Sequence, residues 1–70
     1  MIGIFDSGSG GLSVLSALRA QAPQADIVYF GDIGNSPYGS RSQAELAEFV
    51  ERGMKILAEH GATEIIAACN

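Results

Sequence analysis

The sequence predicts an α/β protein, a three-layer α/β/α arrangement on a parallel sheet, from three observations. Its apolar runs are short, and each is followed by a small polar cluster. A stretch of helical periodicity separates each run from the next. The opening passes from a strand to a glycine-rich loop to a helix: Ile2, Gly3, Ile4 and Phe5, then Asp6 and Ser7, then Gly8, Ser9, Gly10 and Gly11, then Leu12. A first turn of that kind places side chains at the carboxyl edge of a parallel sheet, where open α/β sheets bind ligands.

Taken in order, residues 2–5 read as a buried strand. Leu12, Leu15, Leu18 and Ala22 recur at helical spacing, with Val14 widening the stripe, and Pro23 ends that helix. Residues 26–30 form a second strand whose unbroken apolar run predicts burial on both faces. The helix between the two strands suits a right-handed crossover. Residues 31–41 are rich in turn formers and longer than a minimal connection, as functional loops are. Ser42 and Glu45 have the spacing of a capping box for a second helix. Leu46, Phe49, Val50, Met54 and Leu57 give that helix an inward face, interrupted by Gly53. Gly61 stands where a left-handed residue stops a helix. Residues 64–68 are the third strand, and the expected strand order is 2-1-3 with the first strand central.

Composition narrows the function classes. The chain has 70 residues, 47% hydrophobic and 17% charged, with a net charge of −4. That hydrophobicity excludes a disordered chain. The acidity argues against nucleic acid, which is bound through basic patches, and against an anionic membrane surface. No apolar run approaches the ~18 residues of a membrane span, and no signal peptide is expected at the N-terminus. One cysteine excludes an internal disulfide and fits a cytoplasmic setting. A chain of this size buries only about 60% of its unfolded surface. The expectation is therefore a piece of a larger protein.

If the sheet is parallel, the three strand exits share one edge. These are Asp6 with Ser7, Gly31 with Asp32, and Cys69 with Asn70. Each motif has a plain and a functional reading. The glycine loop is either a tight turn or an anion cradle ahead of a helix, and as a dinucleotide fingerprint it has Ser13 where the third glycine belongs. Asp6 is a general base, a hydrogen-bond orienter or a metal ligand, or plainly an acid satisfying loop amides. Cys69 is either a buried filler or a reactive thiol at a strand exit. Tyr38 is either a lid over the core or a ligand contact. His60 complements the dipole at a helix end. No cluster has metal-ligand spacing, so no metal is expected. A nucleotide- or phosphate-binding domain is one alternative function; it lacks a basic residue near the loop, since Arg19 lies deep in the helix. An interaction module on an inactivated enzyme fold is another.

Three stretches together resemble the aspartate/glutamate racemase family. They are Ile4 to Ser7 with Gly8, Gly10, Gly11, Leu12, Ser13 and Val14; Tyr29-Phe30-Gly31-Asp32 with Pro37-Tyr38-Gly39; and Ala68-Cys69-Asn70. The resemblance implies a racemase-like fold, half of it flavodoxin-like, with residues 1–70 forming the N-terminal part of the first α/β domain of a two-domain protein. It implies cofactor-independent racemisation of an amino acid, glutamate first and aspartate as the alternative, supplying D-glutamate for peptidoglycan. Two cysteines would flank the substrate α-carbon, with Cys69 the first and the second absent from this sequence. Asp6 would be catalytic beside Cys69, and Ser7, Pro37, Tyr38, Gly39 and Asn70 would hold the substrate. The same resemblance implies a small-molecule substrate, no nucleic acid, no membrane, and a homodimer for the complete protein.

Overall fold

In a computed structural model, described here for residues 1–68, three parallel strands carry two helices. The elements are β1 (Ile2–Asp6), α1 (Leu12–Gln21), β2 (Ile27–Gly31), α2 (Gln43–Glu59) and β3 (Glu64–Ala67). Two single turns of 3₁₀-helix, Ile33–Asn35 and Tyr38–Ser40, fill the connection between β2 and α2. The sheet order is β2-β1-β3, with β1 central and parallel to both neighbours, as expected from the sequence. Ile4 lies opposite Tyr29 and Ile66, and Asp6 lies opposite Gly31.

Alternation along β1 sorts the two faces. Gly3 and Phe5 face α2: a Cβ on Gly3 would meet Leu57 and Ala62, and Phe5 lies against Gly53. Ile4 and Asp6 face the other way, toward Gly11 at the start of α1. The helices thus occupy opposite faces, as right-handed crossovers require when β1 to β2 and β2 to β3 run in opposite directions across the sheet. The fully buried centre is Ile4, Phe5 and Leu57. On the α2 face the Phe5 ring meets Phe30 and Tyr38 at 5.9 and 6.4 Å between centroids. Tyr38 in turn meets Phe49 at 5.5 Å.

Both ends of α2 form as the sequence predicts. The Ser42 hydroxyl accepts from the Glu45 amide at 3.2 Å, and the Glu45 carboxylate accepts from the Ser42 amide at 3.1 Å. At the other end Gly61 adopts φ +97°. The Gly61 amide donates to Ala58 and the Ala62 amide to Leu57, each at 3.0 Å, the paired bonds of a Schellman motif. His60 Nδ1 lies 2.8 Å from the Ile56 carbonyl, so the ring sits on the helix's last turn.

Several details differ from the expectations. β2 begins at Ile27 and is half-buried throughout, because it is an edge strand rather than one covered on both faces. β3 ends at Ala67, although the Ala68 amide still donates to the Phe5 carbonyl at 2.8 Å. Leu12 is 49% exposed, and the stripe of α1 is only half-buried, at Val14, Leu15 and Leu18. On α2 the contact of Gly53 with Phe5 sets which face points inward. Val50 is 37% exposed although it stands nearly in line with Leu57, two turns earlier, and Ile56 is half-buried.

Candidate functional site

The carboxyl edge is built around Asp6, which is 2% exposed. Its Oδ1 accepts the Gly8 amide at 3.0 Å. Its Oδ2 accepts the Gly11 amide at 2.6 Å and the hydroxyl of Tyr29. Burial pushes this carboxyl up, but the Tyr29 hydroxyl and the Gly8 and Gly11 amides together outweigh it and hold the group below the usual carboxylate value. Asp6 is therefore an internal anion at the start of α1, a place that favours negative charge. The absence of a side chain at Gly11 is required here, because a Cβ would lie 2.8 Å from both Asp6 Oδ2 and the Ala68 Cβ. β1 and β3 thus run up to the same loop.

This geometry decides between the two readings of the glycine loop. The amides of Gly8 and Gly11 point at the chain's own carboxylate. Arg19 donates to the carbonyls of Pro23 and Ala25 at 3.2 and 2.6 Å, at the far end of α1. Neither feature is arranged for a phosphate.

Asp32, at the exit of β2, is the second buried acid, 7% exposed. It accepts the Tyr38 hydroxyl at 2.6 Å and the Asn35 amide at 3.0 and 3.2 Å. Arg52 on α2 lies 3.9 Å away. The Asp32 amide donates to the Asp6 carbonyl at 2.9 Å, which ties the two strand exits together. A Cβ on Gly8 would lie 3.1 Å from Ser36 Oγ, so the first loop packs against the second.

Of the expected site residues, Asp6, Ser7 and Tyr38 stand at this edge, with Ser7 half-buried at the head of the glycine loop. Pro37 and Gly39 flank Tyr38 and are exposed. Cys69 and Asn70 lie outside the described residues. Tyr38 is held through its hydroxyl to Asp32 and through its ring to Phe5 and Phe49, so it is an anchor of the loop as well as a part of the edge. Sequence reasoning missed Tyr29 and Asn35. The signal for Tyr29 is its position two residues before Gly31, on the face of the sheet that Asp6 shares. A shallow hollow of about 300 Å³ lies along α2 between Glu48, Glu51, Arg52 and Lys55, and none of the expected site residues lines it. Among the described residues, no group of three or more His, Cys, Asp or Glu could hold a metal ion, and no helix is long and apolar enough to cross a membrane.

A parallel sheet with a helix on each face, and acids and loops gathered at its carboxyl edge, defines an α/β protein of the open-sheet class, whose members bind ligands at that edge. Comparison with known proteins narrows this further. No protein-family model matches the chain. The glutamate racemase of Herpetosiphon aurantiacus is 54% identical over 69 residues, which is 99% of this chain and 27% of that protein. The glutamate racemase of Chlorobaculum tepidum is 46% identical over 69 residues, 99% of this chain and 25% of that protein. Among solved structures, glutamate racemase from Aquifex pyrophilus superposes with a TM-score of 0.90 at 42% identity, covering 94% of this chain and 26% of the other. In sequence and fold the chain is similar to these glutamate racemases, and it spans about a quarter of the length of the curated relatives it matches.

Proposed function

We propose that these residues are the N-terminal part of the first α/β domain of a two-domain racemase that interconverts L- and D-glutamate without a cofactor. The observation that carries this reading is the match of 99% of the chain to proteins named glutamate racemase, at 46% and 54% identity. The arrangement of Asp6, Ser7 and Tyr38 at one sheet edge supports it. The expected product is D-glutamate for peptidoglycan, made in the cytoplasm by a homodimer.

The α-proton of an amino acid is a very weak acid, so its removal needs a poised base and stabilisation of the charge that develops on the carboxylate. Cys69 is the proposed base on one face of the α-carbon. A free thiol has a pKa of about 8.5, and only a few per cent is thiolate at neutral pH, so neighbouring donors must favour the anion. The C–H electron pair passes into the substrate carboxylate as an enediolate. A second thiol, from residues beyond this chain, returns a proton to the opposite face. Asp6, held as a carboxylate, suits the ammonium group of the substrate. Ser7, Asn70 and the loop carrying Pro37, Tyr38 and Gly39 supply polar contacts to its carboxylates.

The test is to incubate the complete protein with L-glutamate and to resolve the enantiomers by chiral chromatography. Appearance of D-glutamate without added cofactor is expected, and aspartate run in parallel decides between the two substrates. No turnover of either amino acid overturns the reading.

A further inference from the structure

We propose that Tyr29 is a positioning residue of this site, which holds Asp6 so that Oδ1 is the oxygen through which the carboxylate acts. The inference rests on the functional reading above and adds to it a residue and an atom.

The geometry follows from the sheet. In the β1–β2 register Asp6 lies opposite Gly31, and Tyr29 lies opposite Ile4, on the same face. Gly31 carries no side chain, and the Tyr29 ring occupies the space beside it. A Cβ on Gly31 would lie 3.2 Å from Tyr29 Cε1, 3.5 Å from the Tyr29 hydroxyl oxygen and 2.7 Å from the Gly8 carbonyl oxygen. The ring therefore runs along the strand toward the carboxyl edge, and its hydroxyl reaches Asp6 Oδ2.

A carboxylate has about two lone-pair sites on each oxygen. On Oδ2 both are taken, one by the Gly11 amide and one by the Tyr29 hydroxyl. On Oδ1 the Gly8 amide takes one. The remaining capacity of Asp6 is thus concentrated on one atom. Without the Tyr29 hydroxyl the two oxygens would be equivalent in their count of donors, one amide each, and nothing would select between them. Tyr29 does not need to touch the substrate for this; it acts through Asp6.

The experiment compares Tyr29→Phe, Asp6→Asn and the double variant in the complete protein. Each is assayed for kcat and KM with both enantiomers and for thermal midpoint. Removing a hydrogen bond to a charged group is expected to lower kcat by roughly tenfold to a hundredfold, with KM changed by less than about twofold and the midpoint nearly kept. In the Asp6→Asn background the same change should lower kcat by less than about twofold, because its target is gone. Replacing Tyr29 with 4-aminophenylalanine, which restores a donor at the same point, should recover most of the loss. The inference is overturned if Tyr29→Phe keeps wild-type kcat, or if its loss is as large without Asp6 as with it. It is equally overturned if the Phe variant fails to fold, since the hydroxyl is then a fold determinant. The functional reading fails separately, on a wild-type protein that does not racemise, and this inference then falls with it.

Discussion

Phe5 and Gly53 meet so closely that a Cβ on residue 53 would lie 2.0 Å from Phe5 Cε2. The central strand and α2 are in direct contact there, ring against helix backbone. Ala is otherwise the better helix former than Gly by about 1 kcal/mol. Here Gly53→Ala is expected to destabilise the complete protein by about 1–3 kcal/mol through overpacking. Gly34→Ala, where an added Cβ meets nothing within 4 Å, serves as the control. Urea unfolding of both variants checks this, and equal stabilities would contradict the packing described.

Tyr38→Phe removes the hydroxyl that Asp32 accepts at 2.6 Å while keeping the ring contacts with Phe5 and Phe49. A buried acceptor left short of a donor costs about 1–3 kcal/mol. The loss should appear as local loosening of the β2–α2 connection, read by faster amide exchange at Asn35 and Arg41, and as a raised KM. Unchanged exchange would show that the loop is held by its other contacts.

The sign of the pH dependence follows from Asp6. Its carboxyl is held below the usual value in the folded state, while unfolded Asp titrates near 3.9. A depressed value stabilises the fold above the unfolded pKa, and that contribution is lost as pH falls through the folded pKa. Wild type should therefore be more stable than Asp6→Asn at neutral pH, and the gap should close below about pH 4. A gap that stays constant down to pH 2 would place the effect elsewhere.

Much of the fold was legible because it is locally encoded. The capping box at Ser42 and Glu45 and the left-handed stop at Gly61 are short-range chemistry, and both were readable by spacing alone. The site was less legible, because it depends on which residues of different strands lie opposite one another. The position of Tyr29 two residues before Gly31 puts it on one face of its strand, but that its hydroxyl belongs to Asp6 follows only from the β1–β2 register. Gly31 read as a strand exit and the start of a turn, whereas its missing side chain also makes room for the Tyr29 ring. Val50 has the helical period of the inward face and stands nearly in line with buried Leu57, yet it is 37% exposed, so period alone does not give burial along the length of α2.

Cys69→Ala in the complete protein should abolish racemisation in both directions while leaving the fold intact. Cys69→Ser should be nearly as damaging, because a hydroxyl is a far weaker acid than a thiol. Exchange of the α-proton with deuterated solvent gives the sharper readout. Loss of one of two bases should suppress exchange from one enantiomer more than from the other. Wild-type turnover by Cys69→Ala would make the thiol a filler.

The 70 residues alone should neither racemise glutamate nor fold stably. A single thiol cannot serve both faces of a carbon, and a chain of this size buries only about 60% of its surface. Circular dichroism and a chiral assay on the isolated chain check both points.

The two closures of α2 also make it a ruler. Its first turn is locked by Ser42 and Glu45, and its last by the bonds of Gly61 and Ala62 back to Ala58 and Leu57. Between those fixed points the count of residues decides what lands opposite β1. One inserted residue between Glu45 and Gly53 would turn the rest of the helix by about 100° relative to its start. The gap at Gly53 would rotate away from Phe5, and a side chain would take its place. Length between Glu45 and Gly53 is thus constrained by the packing at Phe5 more tightly than the identity of the outward residues.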